Sequence, residues 1–162
     1  MKKRYILAFV LTALGGAALH FAYELLPSPL VGLFAPVNES VWEHLKLLFW
    51  PFLAAGFFLT RGETDQMRAW SGVLLSLLVM PPVLTGSYYL LLGGFALHAL
   101  WLDIALYVLV LAAGFWLAYR VQRSGRLAYL AGILVILAGL YGAALILFTL
   151  APPDFPIFME MS

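Results

Sequence analysis

The chain has 162 residues, of which 64% are hydrophobic and 10% charged, and its mean hydropathy is +0.99. A soluble domain usually carries about 25% charged residues, so this chain has too little polar surface to face water. A formal net charge of +1 leaves no basic patch for a phosphate backbone and excludes nucleic acid as a partner. The absence of cysteine excludes disulfides and thiolate metal sites.

Five apolar stretches follow one another, each near the roughly 20 residues that span hydrocarbon. The first, Tyr5–Leu26, follows Lys2, Lys3 and Arg4 and ends with His20 and Glu24. Its small Gly16-Ala17-Ala18 resembles a signal-peptide cleavage region, but the apolar run continues to Leu26, which favours a retained span. The connector Pro27–Ser40 has no Lys or Arg and stays apolar through Leu30–Phe34; it is expected to rest at the membrane interface or cover the polar residues beside it. The second stretch, Val41–Thr60, opens behind the capping residues Asn38 and Ser40 and carries Glu43, His44, Lys46 and Pro51. The third, Ala69–Leu92, contains Met80-Pro81-Pro82, read as an interruption because each proline removes a helix hydrogen bond. The fourth, Leu97–Tyr119, opens with His98, Asp103 and Tyr107, and the fifth is Leu127–Leu150. Runs of this kind favour helices, because a backbone facing lipid must satisfy its own hydrogen bonds. The expected fold is therefore all-α, one polytopic bundle of five transmembrane helices over residues 1–162.

Basic residues set the orientation. They occur before the first stretch, at Arg61 and Arg68 after the second, and at Arg120, Arg123 and Arg126 after the fourth. The alternate segments Pro27–Ser40, Gly93–Ala96 and the tail from Ala151 contain no Lys or Arg. The positive-inside rule places the N-terminus in the cytoplasm and the C-terminus outside, in a cell membrane. Trp42 and Trp101 then anchor the outer ends of their helices, Trp70 and Trp116 the inner ends.

With that orientation all three histidines fall in the outer part of the bundle, together with Glu24, Glu39, Glu43, Lys46 and Asp103. Charges within spans are costly and usually face a cavity or one another. Four carboxylates against Lys46 leave a formal excess of three negative charges, to be met by water, protons, protonated histidine or a bound cation. Imidazole and carboxylate without thiolate suit a divalent transition metal, zinc first. The expected ligands are His20, Glu24, His44 and Asp103, with Glu24 one helical turn from His20. Glu43 is the expected general base and Lys46 the stabiliser of a developing oxyanion. Asn38, Glu39, Ser40, His98 and Tyr107 complete the neighbourhood. A structural reading competes: Ser40 and Glu43 form a capping box, and Lys46 pairs with Glu43 at i+3.

The block Pro36-Val37-Asn38-Glu39-Ser40-Val41-Trp42-Glu43-His44-Leu45-Lys46 resembles that of a family of small prokaryotic multi-pass membrane proteins of unknown function. The resemblance implies a common site without assigning an activity, substrate or cofactor. The functional expectation is metal-dependent hydrolysis of a membrane lipid or small amphiphile, by a chain able to form a homo-oligomer. A proton- or cation-coupled transporter and a non-catalytic membrane subunit are the alternatives.

Overall fold

A computed structural model describes residues 2–91 and 99–160. His98 lies outside the described residues. Among the described residues seven α-helices form in chain order: α1 (Lys2–His20), α2 (Ala22–Leu25), α3 (Pro29–Gly32), α4 (Val41–Thr60), α5 (Gln66–Tyr89), α6 (Leu100–Ser124) and α7 (Ala131–Leu150). Short 3₁₀ turns occupy Ala128–Leu130 and Pro156–Phe158. The only β pairing among the described residues is an isolated antiparallel bridge between Ser40 and Glu160.

Among the described residues, three helices are long and apolar enough to cross a membrane: Gln66–Tyr89, Leu100–Ser124 and Ala128–Leu150. The other two long helices, α1 and α4, have 19 and 20 residues. Lys2, Lys3 and Arg4 crowd the first turn of α1, and Glu43 and Lys46 the first two turns of α4.

Helix α5 is the central element and packs against α4, α6 and α7. Leu48, Phe52, Leu77, Leu111, Phe115 and Leu145 belong to the buried core around it. The α5–α6 seam is close because Gly72 lies against the backbone of Ala118 and Gly114 against Met80. Ser76 Oγ sits 2.9 Å from the carbonyls of both Gly72 and Gly114 and ties the two helices together at that height.

One end of the bundle is basic. Arg4 donates to the carbonyls of Phe58 (2.7 Å) and Arg61 (3.2 Å) at the end of α4. Arg68 donates to those of Gln122 (2.7 Å) and Arg123 (2.6 Å) at the end of α6. Both guanidiniums occupy helix C-termini, where unpaired carbonyls and the helix dipole favour a cation. Gly125, with φ of 65°, then ends α6 in the left-handed region.

The prolines do not interrupt their helices. Helix α4 runs on through Pro51, and α5 through Pro81 and Pro82. At Pro51 a tertiary donor replaces the missing N–H: Tyr107 Oη donates at 3.4 Å to Leu47 O, the carbonyl four residues before the proline.

Candidate metal site

The segment entering α4 builds two separate polar groups from one stretch of sequence. Asn38 Oδ1 accepts from the N–H of Ser40 at 3.0 Å, and Ser40 Oγ accepts from the N–H of Glu43 at 3.3 Å. These bonds start the helix. They realise half of the expected capping box, because the Glu43 carboxylate accepts from Val37 N–H (3.0 Å) instead of reaching back to Ser40.

Glu43 and Lys46 form the first group, and it is saturated. Lys46 is fully buried and donates to Glu43 Oε2 (2.6 Å), Gly32 O (2.7 Å) and Ala35 O (3.3 Å). An ammonium has three donors, and all three are used. Glu43 Oε1 accepts from Thr149 on α7 at 2.8 Å. The pair therefore fastens the connector and α7 to the start of α4. Phe34 adds to this attachment by packing edge-on against Trp50, with ring centroids 5.0 Å apart. The connector thus lies along the Lys46–Trp50 face of α4, while His44 on a different face meets His20.

The second group is His20, Glu39 and His44. One ligand-type atom from each lies within 4.8 Å of the others, so the three could hold a metal ion. Glu39 Oε2 is 3.3 Å from His44 Nε2, and the two imidazole centroids are 5.1 Å apart. His44 Nδ1 lies 2.8 Å from the carbonyl of Ser40. A carbonyl only accepts, so Nδ1 carries the hydrogen and Nε2 is the nitrogen turned to Glu39. Backbone support of this kind fixes the tautomer of ligating histidines. His20 Nδ1 is buried without a hydrogen-bond partner among the described residues.

These three residues line a cavity of about 580 Å³ between α1, α4, α5 and α6. Most of its wall is apolar, including Ala13, Ala17, Leu84 and Ile104, and Asp103 and Tyr107 complete the side formed by α6. Gly16 makes room for Tyr107, whose hydroxyl occupies the space that a Cβ would need.

The three-residue group differs from the expected ligand set in two places. Glu24 is exposed and not part of the three-residue group. Helix α1 stops at His20, and Phe21 starts the separate α2, so the i,i+4 relation between His20 and Glu24 lies across a helix junction. Glu39 takes that place instead, from a position ahead of the helix. Asp103 lines the cavity wall without joining the three-residue group. Glu43 and Lys46 point into the connector's network. Thr149, the hydroxyl partner of Glu43, went unread because 106 residues separate the two and a single apolar-run threonine carries no signal.

Fold and site together define a helical bundle, with helices apolar enough for a membrane and a His/Glu/His group at one end of a largely apolar cavity. The full chain, residues 1–162, matches the model of a family described as "Family of unknown function (DUF6512)", and the protein belongs to that family. No curated protein and no solved structure matches it.

Proposed function

We propose that this is a five-span membrane protein, N-terminus in and C-terminus out, which binds one divalent transition metal through His20, Glu39 and His44 on the extracytoplasmic side. There the metal serves hydrolysis of a membrane lipid or small amphiphile. The carrying observation is the convergence of the three ligand atoms within 4.8 Å at the wall of an apolar cavity. One pair has the spacing of zinc donors: atoms about 2.0–2.1 Å from a tetrahedral zinc stand about 3.3 Å from one another, and His44 Nε2 and Glu39 Oε2 are 3.3 Å apart. Three protein ligands leave a fourth position for water, the arrangement of catalytic rather than structural zinc. A metal there would activate that water and polarise a scissile carbonyl or phosphoryl oxygen. We assign the proton-accepting role to Asp103, which lines the same cavity from α6. Glu43 and Lys46 are assigned to anchoring, since their bonding capacity is used within the fold.

Metal analysis of the purified full chain tests this. Wild type should retain about one ion per chain through mild dialysis, and His20→Ala, Glu39→Gln and His44→Ala should each lose most of it. Glu24→Gln should retain it. Metal-free wild type under metal-replete preparation, or a triple variant that binds as well as wild type, would refute the assignment.

A further inference from the structure

One side of the cavity is bordered by residues exposed to the surroundings of the bundle. At the basic end α1 and α6 are in contact: Tyr5 packs on Tyr119 with centroids 5.2 Å apart, Phe9 on Phe115 at 6.0 Å, and the Tyr5 hydroxyl donates to Gln122 Oε1. Toward His20 the same two helices border the cavity, and the wall residues Phe21, Ile104 and Val108 are 54%, 56% and 38% exposed. Ile104 and Val108 belong to α6, which is apolar enough to cross a membrane and so to be surrounded by lipid chains. Resting on the metal-site reading above, we infer that the occupant is an acyl lipid. It enters sideways between α1 and α6 and places an ester or phosphate oxygen at the His20–Glu39–His44 group.

The dimensions make this specific. From His20 to Ala13 is seven residues of α1, about 10 Å at 1.5 Å per residue. An extended chain advances about 1.25 Å per methylene, so only about the first eight carbons lie inside. A cavity of about 580 Å³ over that depth is wider than one close-packed acyl chain needs, and admits the upper parts of two side by side. The remaining carbons stay outside, in the bilayer, beyond the exposed side of the cavity. Recognition is therefore confined to the head and the proximal chain, and the terminal half of the chain is unread.

Photo-crosslinking of the full-length protein in lipid nanodiscs tests this. The probes are phosphatidylglycerol and diacylglycerol carrying a diazirine at about carbon 6 or near the chain terminus. The carbon-6 probes should label peptides containing Ala13–His20 and Ile104–Val108, several-fold above the terminal probes. Ala13→Phe and Ala17→Trp, which fill the cavity, should remove that excess while keeping wild-type metal content. Labelling by both lipids assigns the ester as the shared contact, and labelling by phosphatidylglycerol alone assigns the phosphate. Equal labelling at both carbons, labelling indifferent to the two variants, or a lipid-free dimer protecting Ile104 and Val108 would each overturn the inference. Metal content measured on the same samples separates the outcomes. Normal metal with no carbon-6 excess removes the lipid path alone, and a carbon-6 excess without metal removes the metal reading alone.

Discussion

Lys46 is among the largest side chains to be fully buried, and it carries a charge. Its worth lies in what would be stranded without it: the Glu43 carboxylate and the carbonyls of Gly32 and Ala35. Removing one partner of a buried ion pair typically costs about 3–5 kcal/mol, whereas replacing both by apolar groups can be nearly neutral. Lys46→Met and Glu43→Leu should therefore each destabilise the protein markedly in mixed-micelle denaturation. Combining the two should recover part of the loss, giving a favourable coupling in the double-mutant cycle. Additive losses would mean that the two residues act independently. At this scale the sequence was legible in residue type but not in direction. Glu39, Glu43, His44 and Lys46 stood out as polar residues in an apolar chain, and i+3 spacing offered the Glu43–Lys46 pair, yet nothing in the spacing assigned that pair to the connector and Glu39 with His44 to the cavity. That division depends on where α1, α7 and the connector pack.

Among the helices, the apolar runs were readable because lipid and core both demand uninterrupted hydrophobicity. Ends and interruptions were less so. The third run starts at Gln66 instead of Ala69, since Asp65 caps it by accepting from Arg68 N–H at 3.0 Å. The fourth continues to Ser124, carrying Arg120 and Arg123 as helical residues. The carbonyl that Pro51 frees in α4 is met by Tyr107, a donor that sequence spacing cannot supply. The α5–α6 seam offers a test by contrast. At Gly72 a new Cβ meets the Ala118 backbone, which cannot move aside, whereas at Gly114 it meets the flexible Met80 side chain. Overpacking costs about 1–3 kcal/mol where neighbours are rigid. Gly72→Ala should fall in that range, and Gly114→Ala well below it, by thermal unfolding in detergent. Equal losses would contradict the packing described for this seam.

For the whole molecule, the arginines of three separate segments lie at one end, with Arg4 and Arg68 capping the C-termini of α4 and α6. The histidine group and the start of α4 lie at the other. Five alternating spans make a simple prediction: a reporter fused after Arg123 reads cytoplasmic, and one after Ser162 extracytoplasmic. Both on one side would leave α7 uncrossed and rule out the five-span topology. The arrangement also orders assembly. Helix α4 is synthesised 106 residues before Thr149, and Ser40, whose carbonyl supports His44, pairs with Glu160 later still. During translation the carboxylate of Glu43 has only Lys46 and Val37 to satisfy it. Its full complement, and the clasp that steadies the histidine, come into being only after α7 has been made and docked. The helices can thus be inserted before this clasp at the start of α4 has closed.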